Sequence, residues 1–135
     1  MQIVTDEKVI DEVRAIFGQD HFATMNGAVI EEFGECYAKC SVQLTKQHMN
    51  AMGGVMGGVH YILADFAFAV ANNWKERRTV SLHSDIAYLG AVKGKKLIAE
   101  AHCLKDGRST CYYQVLISDE LDNQVAVANI TGFKK

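Results

Sequence analysis

The stretch that most constrains this chain runs from His48 to Asn73, HMNAMGGVMGGVHYILADFAFAVANN. It opens as a Gly-rich turn region and becomes, from about Gly57, a helix-length segment apolar on nearly every side, with one carboxylate, Asp65, in its middle. A helix that is apolar all round must be buried in a core or a bilayer. An ionised carboxylate left dry and unpartnered costs several kcal/mol even after relaxation. A fold that keeps both needs a substantial core and a use for the acid.

The bilayer is the poorer home. Val55 to Ala71 is close to the minimum span of about 17 residues, but it contains Gly57, Gly58, His60 and Asp65, and no basic residue lies just before it. A buried helix of a soluble protein is the better reading. The N-terminus, MQIVTDEKVIDEV, carries acids where an export signal needs a basic region and an apolar run, so the expected location is the cytoplasm or an equivalent reducing compartment. At 135 residues the chain is long enough to bury a core as one domain, 1–135. Its net charge of −2 provides no basic field for nucleic acid or an anionic membrane. Cys36, Cys40, Cys103 and Cys111 show neither a CxxC nor a zinc-like spacing with His, so no metal is expected and the thiols read as reduced apolar residues.

Along the chain, Thr5 is expected to cap a first helix from Asp6 to about Phe17, with Val9, Ile10, Val13, Ile16 and Phe17 as its apolar stripe. Phe22 to Phe33 reads as a strand, Gly34 breaks it, and Cys36 to Leu44 alternates as a second strand with one face buried. The long helix ends near Asn72 and Asn73. Strands then follow over Thr79–Leu89, with Val80, Leu82, Ile86 and Tyr88 on one face, and over Lys96–Leu104, Ser109–Ser118 and Gln124–Phe133. If Asp106-Gly107 makes a two-residue turn, Cys103 lies opposite Thr110 and Cys111 opposite His102, which puts the two thiols on different sides of the sheet. Segregated strands and helices indicate an α+β fold, an antiparallel sheet of about six strands against one long helix, with a short N-terminal helix besides. Such a sheet covers only part of the helix, and the leftover apolar face calls for a partner subunit.

At Gly57 and Gly58 the first N–H groups of the helix have no intrahelical partner and face the positive end of its dipole, a setting suited to negative charge developing on a substrate oxygen. A stripe of Gly58, Tyr61, Asp65, Phe68 and Asn72 shares one helix face. Asp65 lies eight residues beyond Gly57, about 12 Å along the axis, too far for both to act on one carbonyl within one chain. A second copy supplying the acid would solve this. The glycines read equally well as a plain loop, and Asp65 as a structural partner, while Asn50 alone is most simply a turn residue.

The string Gly57-Gly58, then Leu63-Ala64-Asp65 and Ala67-Phe68-Ala69, preceded by His48-Met49-Asn50, resembles the hotdog-fold thioesterases of the PaaI type. The likeness extends to VSLHSDIAYL, KDGRSTCYYQVLISD and the closing TGF. It implies a hotdog fold, a homodimer that pairs further into a homotetramer, and hydrolysis of acyl-coenzyme A thioesters with coenzyme A as part of the substrate and no bound cofactor. It implies Asp65 as general base or nucleophile, Asn50 and the Gly57 N–H polarising the thioester carbonyl, and Ser81 helping to hold the attacking water. Gly58, Tyr61 and Phe68 would line the substrate, and Arg108 with Lys134 or Lys135 would lie near its nucleotide. The family usually carries His immediately before the two glycines, where this chain has Met56. A non-catalytic acyl-CoA binder or regulator on the same fold is the alternative. Hotdog hydratases resemble an Asp followed five residues later by His, and residue 70 is Val.

Overall fold

The computed structural model describes residues 2–135. Period-two alternation builds β5 (Thr110–Asp119) and β6 (Gln124–Lys134), whose buried residues Cys111, Tyr113, Val115, Ile117, Ala126, Ala128 and Ile130 point to one side. With β1 (Ala28–Gly34), β2 (Tyr37–Gln43), β3 (Thr79–Tyr88) and β4 (Lys96–Asp106) they form one antiparallel sheet in the order β1-β2-β4-β5-β6-β3. Against its apolar face lies α3 (Gly57–Asn73). Small buried side chains, Ala38, Ala99 and Ala101 on the strands and Ala64 and Ala67 on the helix, let the two layers approach closely. This is the hotdog arrangement of an α+β fold, a sheet of six strands around one long helix. No described helix is long and apolar enough to cross a membrane.

The short N-terminal helix, α1 (Glu7–Phe17), buries Val13 and Phe17, and the Phe17 ring meets Phe66 of α3 edge-on at 6.2 Å. Its cap is Asp6 rather than Thr5, because the Asp6 carboxylate accepts from the Lys8 N–H at 2.9 Å. Residues that alternated like a strand form α2 (His21–Met25) instead, and β1 starts only after Gly27, whose φ of +93° turns the chain. Side-chain bonds back to the chain stabilise this turn, from the Thr24 hydroxyl to the Asp20 carbonyl and from the Asn26 amide to the Phe22 carbonyl. The second strand is buried on both faces, since Glu31 and Glu32 fold over its outer side and accept hydrogen bonds from Ser41 and Tyr37.

Two bulges alter the expected registers. One between Ser81 and His83 leaves Val80 opposite Phe133 on the outer face, while Ser84, Ile86 and Tyr88 lie opposite the inward-facing Ile130, Ala128 and Ala126. The expected single face of Val80, Leu82, Ile86 and Tyr88 therefore does not exist. The other, at Leu104, sets Asp106 against Cys111 and Cys103 against Tyr113, joined through Gly107, Arg108 and Ser109. Cys103 and Cys111 consequently share a face, contrary to the two-residue-turn reading, and all four thiols are free.

At the far end of β5 the Asp119 carboxylate, 1 % exposed, accepts from the backbone N–H groups of Lys93, Gly94, Leu121 and Asn123 and from the Asn123 side-chain amide. Burial pushes its pKa up, but these donors outweigh it and hold the carboxyl well below the usual range. Asp119 thereby ties the loop before β4 to the turn between β5 and β6.

Candidate active site at the helix tip and the Asp65 cavity

The tip is assembled by its own loop. The Asn50 side-chain oxygen accepts from the N–H groups of Met52 at 2.9 Å and Gly54 at 3.1 Å, and a short bridge between Met49 and Val55 closes the turn, with Gly53 at φ +86°. This orientation leaves the Asn50 amide N–H groups without a protein partner among the described residues. Buried His48 anchors the same loop: its Nδ1 accepts from the Thr45 N–H at 3.0 Å, its Nε2 lies 2.7 Å from the Asn26 carbonyl, and its own carbonyl accepts from the Met56 N–H. The neutral tautomer with hydrogen on Nε2 satisfies both ring contacts.

Met56 is the N-cap of α3, and its sulfur accepts from the Gly58 N–H at 2.9 Å. The Gly57 N–H has no partner among the described residues and stays free to donate. Tyr88 donates its hydroxyl to the Gly57 carbonyl at 2.8 Å, and a Cβ at Gly57 would lie 3.0 Å from that hydroxyl, which explains the glycine. The His60 ring meets Tyr88 edge-on at 5.3 Å, its Nδ1 is buried without a hydrogen-bond partner among the described residues, and burial draws its pKa below the ordinary histidine value.

Two turns along α3, Asp65 opens on a cavity of about 360 Å³ lined by Asp20, Phe22, Ala23, Tyr61, Ile62 and Asp65 itself. Burial raises the Asp65 pKa above the ordinary carboxylate value, and the negative charge of Asp20 raises it further. The half-exposed stripe of α3 holds Gly58, Tyr61, Asp65 and Asn72, as expected, but it continues through Ala69 rather than Phe68. Phe68 is a core residue, 2 % exposed, edge-on to Tyr113 at 5.4 Å and directly under Gly132, and it contributes nothing to this cavity. Tyr61 shares a hydrogen bond of 2.7 Å with Ser84. Ser81 is exposed on β3 opposite Gly132 and does not line the Asp65 cavity within this chain.

The basic residues sit elsewhere. Lys134 reaches the Asp106 carboxylate and the Gly107 carbonyl at the hairpin turn, beside a second cavity of about 290 Å³ that also touches Asn72, Arg78 and Cys36. Arg108 is exposed on that turn. No cluster of three or more metal-ligating side chains exists among the described residues. Sequence reasoning missed Asp20, Phe22, Ile62 and Tyr88. Asp20 precedes the Phe22–Phe33 stretch that reads as a strand and belongs to no motif, and nothing in the sequence shows that the Tyr88 hydroxyl, on the same face as Ile86, reaches the Gly57 carbonyl.

The sequence matches the thioesterase superfamily over residues 52–126, which contain the tip, Asp65 and Ser81. A putative esterase of Archaeoglobus fulgidus is 31% identical over 120 residues, covering 88% of this chain and 78% of that protein. Mouse acyl-coenzyme A thioesterase 13 is 29% identical over 84 residues, covering 60% of each chain. Among solved structures, a mutant of the phenylacetic acid degradation protein PaaI from Thermus thermophilus superimposes with a TM-score of 0.79 at 26% identity, covering 84% of this chain and 98% of that one. Fold and motif together define a hotdog-fold hydrolase acting on thioesters, and the chain belongs to the thioesterase superfamily. Within it the likeness is to the PaaI type.

Proposed function

We propose that the chain acts as a single hotdog domain over 1–135 that hydrolyses acyl-coenzyme A thioesters to a carboxylic acid and coenzyme A. The observation that carries this reading is a half-buried carboxylate of raised pKa, Asp65, lining a largely apolar cavity on the same helix whose tip leaves the Gly57 N–H free. Asp65 takes a proton from water as the water oxygen attacks the thioester carbon; if Asp65 attacks directly instead, loss of the thiolate leaves an acyl-Asp65 anhydride that a water then hydrolyses to the free acid and the regenerated carboxylate. The Gly57 N–H and the Asn50 amide hold the oxyanion, collapse breaks the carbon–sulfur bond, and the thiolate leaves to be protonated. Ser81 helps to hold the water, Gly58 allows close approach, and Tyr61 lines the acyl group. Arg108 and Lys135, both exposed, are the cations offered to the nucleotide, since Lys134 is already engaged with Asp106.

The roughly 12 Å between tip and acid is bridged in this reading by a homodimer, the tip of one chain facing Asp65 of the other. Two features support it: the half-exposed stripe of α3, and the edge position of β3, where Val80, Leu82 and Tyr88 are exposed. Pairing of dimers then makes a homotetramer. The free thiols suit a reducing compartment such as the cytoplasm.

One feature favours a second reading, binding without hydrolysis: the Met56 sulfur occupies the Gly58 N–H. A panel of short, medium, long and aromatic acyl-CoAs in a free-thiol assay separates the two. Hydrolysis predicts a best substrate with kcat/KM of at least about 10⁴ M⁻¹s⁻¹. Tight binding by calorimetry with no thiol released from any member would establish the binder instead.

A further inference from the structure

Asp20 precedes α2 at its N-cap position, yet its carboxylate caps nothing. Its backbone does the structural work: the Asp20 carbonyl accepts from the Thr24 N–H at 3.0 Å and from the Thr24 hydroxyl at 2.9 Å, and the Asp20 N–H donates to the Phe17 carbonyl at 3.0 Å. The side chain is half-buried, makes no hydrogen bond and has no ion-pair partner among the described residues. An N-cap aspartate normally accepts from the first turn of its helix. Here the carboxylate lines the cavity that holds Asp65.

We infer that Asp20 sets the working charge state of Asp65 through the cavity the two carboxylates share. The inference rests on the reading of Asp65 as the catalytic base or nucleophile, and it makes Asp20 a positioning residue that acts through Asp65.

The surroundings of Asp65 leave Asp20 as the charged neighbour that matters. From α2 the cavity receives Asp20 and the uncharged Phe22 and Ala23. From α3 it receives Ile62 and Tyr61, whose hydroxyl is engaged with Ser84 of β3, and no strand contributes a charged side chain. Among the described residues no cation lines the cavity that the two acids share. A like charge across a largely apolar cavity disfavours a second ionisation, so Asp65 keeps its proton to higher pH and is a stronger base once it loses it. The direction agrees with the upward displacement that burial and Asp20 impose on Asp65. The position of α2 is also secured independently of the Asp20 side chain: Ala23 is buried, and the Asn26 carbonyl is held by His48, the residue that anchors the loop leading to the helix tip.

The test is the pH dependence of kcat/KM for the best acyl-CoA in wild type, Asp20→Asn and Asp20→Glu, together with a carboxyl ¹³C NMR titration of Asp65 in each protein without substrate. Asp20→Asn is expected to move the acid limb to lower pH. One pH unit below the wild-type midpoint it should retain about twofold or more of the wild-type fraction of plateau activity. The Asp65 carbon titration should shift the same way, and Asp20→Glu should follow wild type in both. An unchanged Asp65 titration in Asp20→Asn overturns the inference, whatever happens to the rate. Asp65→Asn, measured alongside, distinguishes the failures. If that variant is inactive while Asp20→Asn leaves limb and titration in place, the role of Asp20 falls and the thioesterase reading stands. If it is fully active the catalytic reading falls, and with it the inference.

Discussion

Asp65→Asn is expected to lower kcat/KM for the best acyl-CoA by about 100-fold or more, the usual consequence of losing a general base. The amide is the same shape as the carboxyl, so the cavity between α2 and α3 should persist and substrate should still bind. Stability should stay level or rise at neutral pH. A carboxyl whose folded pKa is raised makes folding less favourable once the pH exceeds its unfolded value, and Asp65 is raised first by burial and then by Asp20. A loss of turnover accompanied by an equal or higher melting temperature is therefore the signature of a catalytic carboxylate acting as base or nucleophile. Loss of turnover with a falling melting temperature would instead mark Asp65 as structural.

The largest effect on stability is expected at Asp119. Asp119→Ala leaves the N–H groups of Lys93, Gly94, Leu121 and Asn123 without their buried acceptor. Each unmet buried donor costs about 1–3 kcal/mol before the loops relax, so a net loss of about 3–5 kcal/mol is expected. A drop in melting temperature of about 10 °C or more would follow for a chain of this size. The pH dependence has a definite sign. The folded pKa is depressed, so the stability contributed by Asp119 is fully present above the ordinary carboxylate value and is lost as pH falls toward the folded value. The difference in unfolding free energy between wild type and Asp119→Ala should thus narrow by about 1 kcal/mol between pH 5 and pH 3. Urea unfolding at the two pH values checks this, and a gap independent of pH would show that the carboxylate charge contributes nothing.

The parts of this architecture that rest on periodicity and length were legible in the sequence. The α3 boundaries fall at Gly57 and Asn73 as expected, because a run that is apolar on all sides has one stable position, under a sheet. The strands after it also lie where alternation puts them. What escaped was local. A bulge inserts one residue without changing composition, so the phase of β3 reversed at Ser81–His83 and Cys103 came to share a face with Cys111. The helix α2 was hidden because short polar residues bonding back to their own backbone override an apparent alternation. Within the site, the motif pointed to Asp65, Asn50 and Gly57, but the stripe drawn on an ideal helix took in Phe68, which the Tyr113 contact draws into the core, with Ala69 continuing the exposed face. Asp20 carried no signal at all, since the cavity it shares with Asp65 brings together residues forty-five apart in the chain.

Mixing two crippled chains tests most directly whether each site is shared between two copies of the chain. Asp65→Asn and Asn50→Ala, each nearly inert alone, are to be co-expressed with different tags and the mixed population assayed for release of coenzyme A. Random pairing makes half of the dimers mixed, each with one fully wild-type site, so about a quarter of wild-type activity should return. Activity no higher than that of the two variants measured separately would contradict a site assembled from the helix tip of one chain and Asp65 of the other.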